Sequence, residues 1–195
     1  MTDTNISRYP LPDLNDLPED LRNFIVTINE KTGFLPNVFL ALAHRPDELR
    51  AFMAYHDAVM GRDGGLSEAD REMIVVATSS DNNCQYCVVA HGAILRIRAK
   101  NPLIADQVAT NHKKADISDR ERAMLDFAIK VSRDSCSIDD MDYENLRSHD
   151  FSDDDIWDIA SITAFFGMSN RLANFLSMRP NDEFYLMGRI PKDKQ

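Results

Sequence analysis

Residues 67–99 read SEADREMIVVATSSDNNCQYCVVAHGAILRIRA, and this stretch decides the fold. Ser67 is an N-cap residue with acidic residues just behind it, and an apolar block, Met73 to Ala77, follows at helical length. The polar run Asp81-Asn82-Asn83 then breaks the pattern, because Asn and Asp favour caps and turns. A second helical run starts at Cys84 and continues to Ala99. Both runs read as helices, and neither alternates as a strand would.

The same grammar extends outward. Pro18 opens a run with Leu21, Phe24, Ile25 and Ile28 at helical spacing, and Gly33 stops it. Short helices are expected over residues 36–44 and 102–110, and a longer one from Pro46 to Gly61. Ser118 and Glu121 form a capping box ahead of a helix reaching Asp134. Residues 138–150 begin acidic, which suits a helix dipole, and Ser152 caps a long apolar run that Pro180 follows. The expected fold class is all-α, a helical bundle of eight or nine helices joined by short loops. Residues 1–17 read as an extended N-terminal arm, 18–180 as a single helical domain and 181–195 as a C-terminal tail. A faint repeat of Ser-initiated acidic caps recurs at Ser67, Ser118 and Ser152, and only the first copy carries cysteines.

Bulk properties narrow the function. A chain of 195 residues suits one domain with a full core. A net charge of −10 and a pI near 4.9 argue against nucleic acid and against an anionic membrane surface as partners. The N-terminus lacks the basic start and apolar run of a secretory signal, and no apolar segment reaches spanning length. The expected location is the cytoplasm, where thiols stay reduced, so a Cys-x-x-Cys pair reads as catalytic or metal-binding rather than as a staple. Cys136 stands alone and is expected to be a small buried residue.

Cys84, Cys87 and His91 fall at i, i+3 and i+7, which share one helix face. Unpaired N–H groups at the helix start stabilise a thiolate, the reactive form, and on this ground Cys84 is the more acidic thiol. Two thiols one turn apart can also close a disulfide. Glu72 sits mid-helix beside the apolar block; a carboxylate facing His91 would fix the imidazole tautomer. Plainer readings stand beside these. The two cysteines could be small buried residues, and Glu72 an exposed partner of Arg71 or Arg96. Cys84, Cys87, His91 and Glu72 could hold zinc, although no second knuckle exists in the chain. His56 reads as a core or interface histidine, and His44, His112 and His149 as surface. Met53, Met60, Met73, Phe165, Phe166 and Met168 read as core or subunit interface.

The spacing Glu72, Cys84, Cys87, His91 (E-x11-C-x-x-C-x3-H) resembles the alkylhydroperoxidase D-like branch of the carboxymuconolactone decarboxylase superfamily. The wording of residues 66–95 is similar to that family's core. "YHDAVMG" and "AFFGMSNRLANFL" resemble its longer, peroxidase-related subgroup, so the likeness covers roughly residues 20–180. The resemblance implies an all-helical fold in a symmetric homo-oligomer (dimer, trimer or hexamer). It implies thiol peroxidase or disulfide-reductase chemistry with no metal, haem or other cofactor beyond a redox-active Cys84–Cys87 pair. It implies that Cys87 attacks the peroxide, that Cys84 resolves the product, and that His91 and Glu72 relay protons. The partners implied are a small hydroperoxide and a thiol reductant or adaptor protein. Where characterised members carry a histidine before the second cysteine, this chain has Tyr86, a poor base near neutral pH. His56 and Tyr55, on the preceding helix, are the auxiliary candidates. Two other functions remain open at this point: a decarboxylase or lactone enzyme of the wider superfamily, and a non-catalytic redox-sensing or zinc-binding protein.

Overall fold

Four helices start the same way. Ser67, Ser118, Asp139 and Ser152 each accept a hydrogen bond from the N3 or neighbouring backbone N–H, and the N3 carboxylate bonds back to the cap. Each such box satisfies donors that a helix start leaves open and contributes about 1 kcal/mol. In the computed structural model, which describes residues 6–189, the α-helices are α1 (Glu19–Thr32), α2 (Asn37–Leu42), α3 (Pro46–Met60), α4 (Glu68–Asp81), α5 (Gln85–Arg98), α6 (Ile104–Asn111), α7 (Asp119–Asp134), α8 (Asp140–Ser148), α9 (Asp153–Phe175) and α10 (Asp182–Leu186). Single 3-10 turns lie at Leu14–Asp16, His112–Lys114 and Ser135–Ser137, and no strand occurs among the described residues.

The helix ends use a second device. Asn83, Lys100, Asp150 and Ser177 all take positive φ, between 50° and 63°. At each, the next residue's N–H reaches back to the carbonyl five residues earlier: Cys84 to Ser79, Asn101 to Arg96, Phe151 to Leu146, Met178 to Ala173. These are Schellman closures made without glycine. The first sets the site. Cys84 closes α4 and in the same position is the N-cap residue of α5.

α4 is buried from Asp70 through Ser79 and packs against α5, α6, α7 and α9. The main core gathers Met73 to Ala77 of α4, Met124 and Leu125 of α7, and Ile156, Ile159, Ile162, Phe165 and Phe166 of α9. Burying each large apolar side chain here contributes roughly 1.5–3 kcal/mol. A smaller core surrounds the cysteines and includes Ala90, Ala93, Ala173, Met178 and Phe184. A third joins α1 to α3 through Leu21, Ile25 and Leu49.

Of the expected arm over residues 1–17, residues 1–5 lie outside the described residues. Farther along, Arg8 N–H bonds the Leu176 carbonyl and Arg179 N–H bonds the Ile6 carbonyl, so the arm is docked at the end of α9. Of the expected tail, residues 190–195 lie outside as well, but 182–186 form α10, a tenth helix not anticipated. Arg96, itself buried, donates to the Phe184 and Met187 carbonyls and clamps α10 onto α5. Such a short helix has too little periodicity to announce itself; tertiary contacts hold it. Cys136 corrects a second expectation. It is exposed, in a 3-10 turn, with its thiol donating to Asp134. No helix among the described residues is long and apolar enough to cross a membrane.

Candidate active site

The Schellman closure fixes where the thiols fall. Cys84 occupies an extended conformation at the start of α5, and Cys87 lies one turn inside. Cys84 is fully buried and Cys87 is 3% exposed; both are free thiols. One turn further, His91 Nδ1 lies 2.8 Å from Glu72 Oε2. Glu72 comes from α4 and is only 7% exposed. A carboxylate only accepts, so Nδ1 carries the proton and Nε2 is the ring's basic position. Phe166 closes edge-on against the imidazole, 4.7 Å between centroids. The simpler partners of Glu72 are engaged elsewhere: Arg71 with the Val59 and Arg62 carbonyls, Arg96 with α10.

The two sulfurs divide charge unequally. The Cys87 thiol, acting as donor toward the Cys84 sulfur, holds Cys84 down to about 7 against the cost of its burial. Cys87 N–H, the Asn170 amide and the His91 ring when protonated push the same way, although the Cys84 sulfur makes no regular capping hydrogen bond. Cys87 is pushed well above the usual thiol range, first by its bond to Cys84 and then by burial. The reduced pair therefore keeps one proton on Cys87 and the charge on Cys84, as the helix start predicts.

A cavity of about 190 Å³ opens against this pair. Its wall is mostly apolar, from Phe39, Phe52, Phe166 and Phe184 among others, and Cys87, His91 and Ser169 are polar groups set in it. Cys84 is not part of the wall. The sulfur on the cavity wall is thus not the sulfur that carries the charge. Tyr86 lines the cavity too, but its phenol oxygen accepts the Val38 N–H at 3.1 Å, and burial pushes its ionisation up, out of range for a base. His56 reaches the cavity wall with its ring against Phe165 and Phe166 and its Nδ1 beside Asp57. Tyr55 stands apart, half exposed on the outer groove between α3 and α9. Among the described residues no group of three or more His, Cys, Asp or Glu side chains is arranged to hold a metal ion.

Sequence reasoning missed α9's contribution. Ser169 Oγ lies 4.0 Å from Cys87 Sγ. Asn170 is fully buried, donates to Ser79 Oγ at 2.9 Å and accepts from Asn82 at 3.0 Å. Both stand more than 80 residues from Cys87, beyond any local spacing. The polar pair Ser169-Asn170, directly after the apolar block Ala164 to Met168, was the available signal.

Fold and site together define an all-helical protein with a buried dithiol at a helix start. The chain belongs to the carboxymuconolactone decarboxylase family, in its alkylhydroperoxidase D-like branch. The family's model matches residues 46–111, which contain both cysteines, His91 and Glu72. A crystal structure of an alkylhydroperoxidase D core, an uncharacterized peroxidase-related protein from Ralstonia eutropha JMP134, is 66% identical. It covers 96% of this chain and 98% of its own, with a TM-score of 0.95. An uncharacterized peroxidase-related protein from Silicibacter sp. TM1040 is 40% identical over 97% of this chain and 99% of its own, with a TM-score of 0.91. The debrominase Bmp8 is 22% identical over 94% of this chain and 96% of its own, and its TM-score of 0.75 reports the shared fold alone. No curated protein matches the sequence.

Proposed function

We propose that the protein is a thiol-dependent hydroperoxide reductase. The observation that carries this reading is the shared cavity: Cys87 and His91 face one small apolar chamber, with Cys84 directly behind Cys87 and Glu72 bonded to His91. The peroxidase-related names of the two relatives above support it. In the reaction, His91 Nε2 takes the Cys87 proton, and the Cys87 thiolate attacks the terminal oxygen of the hydroperoxide. The O–O bond breaks, the alkoxide leaves with the proton from His91, and Cys87 becomes a sulfenic acid. The Cys84 thiolate then attacks the Cys87 sulfur; hydroxide leaves, takes a solvent proton, and a disulfide remains. An external thiol reductant supplies the two electrons that reset the pair. The scheme invokes no cofactor beyond this dithiol. It places the protein in the cytoplasm, where reduced thiols are available, and as a homo-oligomer, which the apolar outer groove between α3 and α9 supports.

The test is turnover of organic hydroperoxides with a panel of thiol reductants, together with a Cys84→Ser variant. That variant should still oxidise at Cys87 but form no internal disulfide, and under excess peroxide it should accumulate the sulfinic acid. Free-thiol counts that do not change after stoichiometric peroxide would refute the reading.

A further inference from the structure

Two buried threonines on these helices give their proton to their own helix. Thr78 donates to the Ile74 carbonyl at 2.7 Å and Thr163 to the Ile159 carbonyl at 2.8 Å, each four residues back. This back-bonding is the usual fate of a hydroxyl inside a helix. Ser169 departs from it. It lies in α9, six residues after Thr163 and 7% exposed, yet the contact its hydroxyl makes is with Cys87 Sγ, at 4.0 Å. That distance is the long limit for a bond to sulfur, and it shortens when the sulfur becomes a thiolate. Its neighbour Asn170 differs: one amide N–H goes to Ser79, its carbonyl accepts from Asn82, and the amide favours charge on both sulfurs alike, so it does not choose between them. Ser169 also lines the cavity.

We propose that Ser169 is a catalytic hydroxyl: it donates to Cys87 when that sulfur loses its proton, and so lets the charge sit on the sulfur that faces the cavity. The proposal rests on the reductase reading for the claim that Cys87 is the attacking atom. It supplies what that reading needs. The reduced pair keeps its charge on Cys84, out of the cavity, and a chemical step at Cys87 requires a donor that favours the opposite arrangement. Tyr86 is placed differently: its oxygen accepts the Val38 N–H at 3.1 Å, and among the described residues its phenol makes no hydrogen bond to Cys87. Against the bond to Cys84 and the burial that push the Cys87 thiol up, the Ser169 contact pulls it down, the direction required.

The experiment isolates Cys87 in a Cys84→Ala, Cys136→Ser protein and follows its iodoacetamide alkylation against pH. Adding Ser169→Ala should raise the pH of half-ionisation by about 1 and slow alkylation about tenfold below it, the effect of one charge-assisted hydrogen bond. Ser169→Thr should stay near the parent profile, and Ser169→Val, of the same shape without the hydroxyl, should follow Ser169→Ala. Superimposed profiles for parent and Ser169→Ala overturn the proposal, and so do equal profiles for the Thr and Val variants, which also serve if the Ala variant fails to fold. In the unaltered dithiol protein Ser169→Ala should slow hydroperoxide consumption about tenfold. If the unaltered protein consumes no hydroperoxide while the alkylation shift is present, the reductase reading falls and the action of Ser169 on Cys87 stands.

Discussion

His91 and Glu72 show how much one hydrogen bond can decide. The 2.8 Å contact sets the tautomer, and the tautomer sets which nitrogen is free to take a proton. The His91 charge is also among the causes holding Cys84 at about 7. His91→Asn should therefore move ionisation of the thiol pair up and cut iodoacetamide alkylation at neutral pH by several-fold. Glu72→Gln, which cannot hold an imidazolium by charge, should act in the same direction. The deficit should vanish as pH passes the free-thiol value of about 8.5, where a thiol ionises unaided. An alkylation-versus-pH profile unchanged in both variants would remove the relay from the mechanism. At this scale the spacing of Cys84, Cys87 and His91 was readable because all three fall within one helix and its N-cap. The pairing of Glu72 with His91 was anticipated from two adjacent helices. Ser169 was not legible, because only the packing of α9 against α5 brings it to Cys87.

Helix starts and helix ends differ in what they reveal. Ser67, Ser118 and Ser152 signal their helices in the sequence, and each forms a complete capping box. The ends at Asn83, Lys100, Asp150 and Ser177 carry no glycine, so the usual stop sign is missing although the closure is regular. Asp155 gives the α9 box a second duty, since it also accepts the Gly65 N–H at 2.8 Å and ties the α3–α4 loop to α9. Burial pushes its carboxyl up, but the Ser152 hydroxyl and N–H and the Gly65 N–H together outweigh that and hold it below the usual carboxylate range. A carboxyl depressed in the folded state stabilises above its unfolded value of about 3.9 and loses that contribution as pH falls through the lower folded value. Thermal melts should thus show the native protein losing stability more steeply than Asp155→Asn below about pH 4. Ser152→Ala should cost about 1 kcal/mol at neutral pH. Parallel pH curves for the native and Asp155→Asn proteins would show that this carboxylate is not a pH-sensitive tie.

Across the whole molecule, the all-helical class followed from the absence of any alternating run, while the arrangement of the helices did not. What brings α4, α5 and α9 together is the burial of α4 over ten consecutive residues, Arg71 and Glu72 included, and no periodic stripe marks a helix buried all round. The outer groove between α3 and α9, about 600 Å³, gathers Tyr9, Tyr55, Met168 and Phe175, of which Met168 is 41% and Phe175 55% exposed. These side chains, rimmed by His44, Arg45 and Glu48, are the surface that the proposed assembly would cover. Sedimentation at micromolar concentration should show a species heavier than the 22.2 kDa chain. Charges placed in the groove, as in Met168→Glu with Phe175→Glu, should shift it toward the monomer. A purely monomeric native protein would exclude assembly through this face.

The bond from Val38 N–H to the Tyr86 phenol has a consequence for what position 86 can become. Val38 lies in the first turn of α2, where backbone donors have no partner within the helix, and Tyr86 answers one of them from 48 residues away. A histidine at 86 would add a base beside Cys87, but its shorter ring would leave that amide unanswered in an apolar wall, costing roughly 1–3 kcal/mol. α2 carries Val38, Phe39 and Leu42 of the cavity lining, so the loosened element would be the chamber itself. Position 86 therefore sets a second proton carrier against a firm mouth for the pocket, and Tyr86 supplies the firm mouth.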